Sequence, residues 1–187
     1  MESKAPRMYD EIKVTNSIKS EYTIKIVRIQ GFWQTLYDCV LTTYCYKNRG
    51  KIMIFTDSTL SDIYLSYEEF LKFHDRDEQQ SRKFLKIIRD LYGIDIGFAD
   101  NSDLKKIHNE FMENVHVLQY PGELNKCLEM AEDIWHSMIV KGYDRSATLL
   151  AFGGGVVGDL GGYISSNFLR GIKLIHMPTS IISKCSM

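Results

Sequence analysis

The stretch Leu149–Arg170 constrains the fold more than any other part of the chain. It begins within a short apolar run, Ala147–Phe152, that carries no charge. Such a run before glycines predicts a buried strand. Gly153, Gly154 and Gly155 follow, then Val156, Val157, Gly158 and Asp159. Gly153, Gly155 and Gly158 have the spacing G-x-G-x-x-G, after the strand and before a predicted helix. Two physical needs explain glycine here: a turn with positive φ, and backbone bare enough for a diphosphate to come close. Free N–H groups at the start of the next helix would then face the anion. The spacing alone occurs in many α/β turns, so the remaining residues must decide whether it binds anything.

Alternating strands and helices run through the rest of the chain. Met1–Ser20 reads as a loose polar tail, and residues 21–187 as one α/β domain. Glu21–Ile29 alternates polar and β-branched residues, which predicts a strand. Phe32–Tyr46 carries apolar residues at helical spacing and closes at Asn48-Arg49-Gly50. Lys51–Thr56 is a second buried strand, with Asp57 at its carboxyl end. Helices are predicted over Leu60–Lys72 and Gln79–Tyr92, with a charged break at His74–Glu78. Further strands are expected at Ile94–Phe98, Val115–Gln119 and Lys173–His176, and helices at Asn101–Asn114 and Leu124–Val140. This pattern gives a Rossmann-like parallel sheet with helices on both faces. Ligands of such sheets bind beyond the carboxyl ends of the strands. Asp57, Glu123, Gly153–Asp159 and Thr179 all follow predicted strands, so one cleft can collect them.

Composition removes several classes of function. The formal net charge of −1 over 187 residues gives no bulk attraction to nucleic acid. No run is long enough for a membrane span, and the polar Met1–Ser20 is not a secretory signal. The four cysteines contain no C-x-x-C, which fits reduced thiols and a cytoplasmic location. The five histidines share no metal-ligand spacing, so no metal site is expected in these residues.

Each candidate residue also has a plain structural reading. A dinucleotide fold usually places an acid about 20 residues past the glycines, and this chain has no Asp or Glu after Asp159. Asp57 either replaces that acid or simply caps the next helix. Glu123 and Lys126, three apart, face the same way on a first helical turn and make an ordinary surface pair. Asp159 is stabilised by the dipole of its own helix. Arg170 follows a helix and is placed to cap its last carbonyls. Thr179 and Ser180 carry hydroxyls beyond the last strand.

Four blocks in order tilt these readings toward ligand binding. They are Pro121-Gly122-Glu123-Leu124-Asn125-Lys126, Gly153–Leu160, Leu169-Arg170-Gly171 and Met177-Pro178-Thr179-Ser180. Together they resemble the 3-dehydroquinate synthase family of sugar-phosphate cyclases over about residues 121–180. The resemblance implies an NAD site made by Asp57, Glu123, Lys126, Gly153, Gly154, Gly155, Val156, Val157, Gly158, Asp159, Thr179 and Ser180. It implies that Arg170 contacts the phosphate of a sugar-phosphate substrate across the interface of a homodimer. It also implies a divalent metal, zinc or cobalt, whose Glu and two His ligands lie in a helical C-terminal domain beyond this chain. The family's pattern continues past Pro-Thr-Thr to an aspartate, where this chain has Ser186. No catalytic group is therefore expected within the 187 residues, and no cyclase turnover by them alone.

The resemblance leaves alternatives. Gly158-Asp159 favours cyclases of dehydroquinate or sedoheptulose 7-phosphate over those of glucose 6-phosphate, which tend to carry Asn. Iron-dependent alcohol dehydrogenases share the fold, but Val156 stands where their loop has Ser. A non-catalytic nucleotide-binding remnant is the reading from another class. The segment between residues 60 and 120 holds at least one helix more than the family usually has, expected to be surface decoration.

Overall fold

The computed structural model describes residues 9–15, 21–27, 32–37, 50–95, 101–120 and 122–180. Its centre is a four-stranded parallel sheet of β3 (Ile52–Asp57), β4 (Val115–Leu118), β5 (Thr148–Gly153) and β6 (Lys173–Pro178). The strand order is β4-β3-β5-β6. Every residue of β3 and β5 is buried, as expected for inner strands of a parallel sheet covered on both faces. The α/β class read from the sequence is the class observed.

Alternation along β3 divides the core in two. Met53 and Phe55 pack with α6 (Leu128–Val140) and α7 (Gly155–Asn167), through Ile134, Met138, Val157 and Leu160. Ile52 and Ile54 pack on the other side with Trp33, Phe84, Ile88, Ile107 and Phe111. Those residues come from α1 (Phe32–Leu36), α4 (Glu78–Tyr92) and α5 (Asn101–Met112). Two shorter helices, α2 (Ser58–Tyr64) and α3 (Tyr67–Arg76), precede α4. The segment between residues 60 and 120 is therefore not decoration. Together with α1 it supplies the apolar layer over one face of the sheet.

Several boundaries differ from the sequence reading, each for a local reason. Within the expected polar tail, Tyr9–Thr15 forms β1, which pairs antiparallel with β2 (Glu21–Val27). Ile12 and Val14 there alternate with polar residues, as a strand requires. The helix expected over Leu60–Lys72 breaks at Leu65-Ser66, because Ser66 Oγ accepts from the Glu69 N–H and starts α3 afresh. The charged break His74–Glu78 shrinks to Asp77, which caps α4 by accepting from the Gln80 N–H at 2.9 Å. Ile94 and Asp95 are not in a strand. Phe98, with the rest of that expected strand after residue 95, lies outside the described residues, as does most of the helix expected over Phe32–Tyr46.

Register aligns the strand ends. Asp57 pairs with Leu118, Thr56 with Phe152, and Gly153 with Pro178. The carboxyl ends of all four strands thus form one row, and the residues just beyond them share one edge of the sheet.

Candidate functional site

The glycine-rich unit leaves that edge between β5 and α7. Gly154 is the residue before the first turn of α7, with φ −79° and ψ −164°, and no side chain caps the helix there. Gly154 has no side chain with which to cap the helix, so the start of α7 presents its backbone N–H groups as donors. A Cβ placed on Gly155 would meet nothing within 4 Å, and one on Gly154 only the Ser180 hydroxyl, at 4.0 Å. The backbone face of these two glycines is open. Gly153 is different: a Cβ there would lie 2.6 Å from Val157.

The expected reason for these glycines is corrected in one respect. None of Gly153, Gly154, Gly155 or Gly158 has positive φ. Close approach, not left-handed backbone, explains them. Left-handed backbone occurs instead at Leu169 (φ 47°), Arg170 (φ 71°) and Gly171 (φ 107°), just past α7. Arg170 is exposed there. The carbonyls at the end of α7 are served by nearer groups: Asn167 Nδ2 and Ser166 Oγ both donate to Tyr163 O, at 2.8 and 2.9 Å.

The segment after β4 meets the glycine-rich unit through charge. Glu123–Asn125 is a turn of 3-10 helix, and α6 begins only at Leu128. The helix expected to start at Leu124 is thus delayed. Asn125 Nδ2 donates to Gly122 O and Tyr120 O, closing the turn. Glu123 and Lys126 still face the same way, as their spacing predicts. Lys126 Nζ lies 2.8 Å from Glu123 Oε2 and 2.7 Å from Asp159 Oδ2. One ammonium thus joins the two carboxylates and ties the turn to the first turn of α7. Its pKa is held above the ordinary lysine value, first by the hydrogen bond it donates to Asp159 and then by the one it donates to Glu123.

Two further strand ends complete the edge. The Thr179 N–H donates to Gly153 O at 2.9 Å, which lays residues 178–180 against the glycine loop. Asp57 is almost wholly buried, and its Oδ1 accepts from the Leu60 N–H at 3.0 Å. The cap of α2 is the contact it makes here. Ser58 Oγ donates to Gln119 O at 2.9 Å and binds the start of α2 to the end of β4.

His176 was not among the candidates. It sits on β6 on the α7 side, and its Nδ1 lies 3.8 Å from where a Cβ on Gly158 would stand. Burial lowers its pKa, and the Asp159 charge opposes that shift. Alternation along β6 was the available signal, since His176 has the same parity as the core residue Leu174. Among the described residues no group of three His, Cys, Asp or Glu could hold a metal ion. No described helix is long and apolar enough to cross a membrane.

Comparison with known proteins places this geometry. The family described as 3-dehydroquinate synthase N-terminal matches residues 116–186. The 3-dehydroquinate synthase of Dehalococcoides mccartyi (strain CBDB1) is 38% identical over 92 residues, 49% of this chain and 26% of the relative. That of Clostridium tetani is 33% identical over 138 residues, 73% of this chain and 33% of the relative. This chain thus spans between about a quarter and a third of the length of those relatives. A crystal structure of 2-deoxy-scyllo-inosose synthase superposes with TM-score 0.50 at 17% identity, over 91% of this chain and 36% of that one. That likeness shows the fold. A second structure of that enzyme is a complex with carbaglucose-6-phosphate, NAD+ and Co2+, and covers 35% of the neighbour at the same TM-score of 0.50. The motif blocks, the matched residues and the shared fold agree: residues 116–186 belong to the 3-dehydroquinate synthase family of sugar-phosphate cyclases, of which this chain carries the N-terminal portion.

Proposed function

We propose that this chain is the NAD-binding part of a 3-dehydroquinate synthase-like cyclase, a lyase that eliminates phosphate from a sugar phosphate and closes the ring in the shikimate pathway. The observation that carries the proposal is Lys126, paired at once with Glu123 and Asp159 beside an open glycine backbone. That contact brings two separate motif blocks to one helix start, where a diphosphate would be received.

The residues fit the cofactor. Gly154 and Gly155 leave space that a Cβ would fill, and the N–H groups starting α7 have no side-chain cap. On this reading Gly153–Gly158 hold the diphosphate by backbone donation. Glu123, Lys126 and Asp159 supply polar contacts along one side, and Thr179 and Ser180 supply hydroxyls on another. Val156 and Val157 put the first turn of α7 in place. Asp57 accepts from the ribose with whatever capacity α2 leaves it. Bound NAD supplies hydride transfer, while the protein supplies placement and charge. Arg170 is held out from α7 on left-handed backbone, and we assign it to substrate phosphate, for which a planar and permanently charged fork is suited. A homodimer, a cytoplasmic location and a sugar-phosphate substrate belong to the same proposal. Dehydroquinate chemistry is preferred to a sedoheptulose 7-phosphate cyclase because the curated relatives named above are 3-dehydroquinate synthases. The described residues offer no metal cluster, so no step through a metal is assigned to them.

Calorimetry with NAD tests the proposal. The 187-residue chain should bind NAD, and Gly155→Val should abolish binding while leaving the circular dichroism spectrum unchanged. Equal affinity in both proteins would reject the glycine cradle. No binding by the unmutated chain would reject the cofactor reading for these residues.

A further inference from the structure

We infer that His176 is a positioning residue for the anion seat at the start of α7, and that it makes dinucleotide binding there tighten as the solution is acidified. The inference rests on the cofactor reading above.

Geometry places the ring under the seat. His176 pairs in register with Ala151 of β5 and faces the same side as Leu174, which packs in the core shared with α7. Its Nδ1 and Cε1 lie 3.8 and 3.9 Å from the position of a Cβ on Gly158. The imidazole thus packs against the first turn of α7 at Gly158, where even a Cβ would make only ordinary contact with it.

The charges around the ring decide its response. From α7 the facing charged group is Asp159, which draws a proton toward His176. Asp159 is already paired with Lys126, which is also paired with Glu123. From β5 the neighbours on this face are Ala151 and Gly153, which carry no charge. Half-burial favours the neutral ring and lowers its pKa. A diphosphate at Gly154 and Gly155 would bring negative charge within about one helical turn of the ring and favour the imidazolium. Coupling is reciprocal, so the imidazolium must also favour the diphosphate. A single charge near a helix terminus corresponds to a change of roughly two- to five-fold in affinity.

The test uses the full 187-residue chain and NAD, whose own charge is constant over the interval. Calorimetry at about pH 7.5 and about pH 5.5 brackets histidine titration. Wild-type affinity should rise roughly two- to five-fold on acidification, and His176→Gln, neutral and of similar size, should lose that rise. Proton NMR of the histidine Cε1 resonances, with the H176Q spectrum assigning His176, should show its pKa rising when NAD is added. That second measurement reads the wild-type protein even if the variant is unstable, with His176→Asn then used for assignment. NAD affinity with the same pH slope in wild type and variant, or a His176 titration that NAD does not move, would overturn the inference and leave the cofactor reading standing. Absence of NAD binding at both pH values would overturn both.

Discussion

Gly153 and Gly155 occupy equivalent places in the sequence spacing but meet different surroundings. A methyl group on Gly153 would stand 2.6 Å from Val157, including its Cβ, so the first turn of α7 would have to move. A methyl group on Gly155 meets nothing within 4 Å. Gly153→Ala should therefore destabilise the fold by about 1–3 kcal/mol through overpacking. Gly155→Ala, at a helical position with ordinary φ, should leave stability within about 1 kcal/mol and err toward stabilisation. Urea unfolding of both variants checks this, and a Gly155 variant less stable than the Gly153 variant would contradict it. The sequence located these residues but not their reasons. Spacing could show that Glu123 and Lys126 face the same way, because three residues make about one turn. It could not show that Asp159, 33 positions later, accepts from the same ammonium, because that contact depends on how two strand ends align. His176 escaped for the same reason, since its neighbour across the core is a glycine with no side chain to announce it.

Helix boundaries follow from single capping residues more than from hydrophobic period. Ser66 and Asp77 each end one helix reading and begin another by accepting from the N–H three residues on. Both are polar residues of a kind that also occurs inside helices, so periodicity ran through Ser66 and placed too wide a break around Asp77. The long strands β3 and β5 were legible because a fully buried parallel strand has few ways to be written other than an apolar run. What the period did not reveal is that α1 and α3–α5 assemble around one aromatic side chain. Trp33 is almost fully buried, with ring centroids 5.0 Å from Phe70, 5.0 Å from Phe111 and 6.1 Å from Phe84. Trp33→Ala removes the centre of that layer and should cost about 3–5 kcal/mol. Trp33→Phe should cost less, because Trp33 Nε1 has no hydrogen-bond partner among the described residues. Denaturant midpoints with unchanged slopes would show this order, and a tolerated Trp33→Ala would mean the layer is not packed as described.

At the scale of the whole molecule, the sequence showed the four segments that form the parallel sheet and that their carboxyl ends carry the polar residues, though it missed β1 and expected a strand at Ile94–Phe98. It did not show the order β4-β3-β5-β6, which depends on pairing between segments as far apart as β3 and β5. Of the four histidines that the sheet and its helical layers bury or half-bury, three lie on three different elements and share one property: His108 on α5, His116 on β4 and His176 on β6. Each has a pKa lowered from 6.5, with burial as the largest cause. Smaller effects differ. The carbonyl of Leu65, which accepts from His108 Nε2 at 2.8 Å, raises that group, while Lys141 lowers His116 further and Asp133 raises it. The sign of the consequence is the same for all three. Between the lowered folded values and the unfolded value near 6.5, the unfolded chain binds more protons than the folded one, so stability rises with pH there. The contribution is fully present above the unfolded pKa and is lost as pH falls through the window below it, levelling off once the folded histidines are themselves protonated. Lowered carboxylates, such as Asp144 hydrogen-bonded by Ser146, extend the loss to still lower pH. Urea unfolding without NAD, at a series of pH values from about 8 to about 5, should show a flat stability above the histidine range and a decline beneath it. His108→Gln keeps a donor for Leu65 O and cannot become a cation, so the decline should be shallower in that variant. A wild-type profile that is flat, or that rises on acidification, would show that these histidines do not carry the pH dependence of the fold.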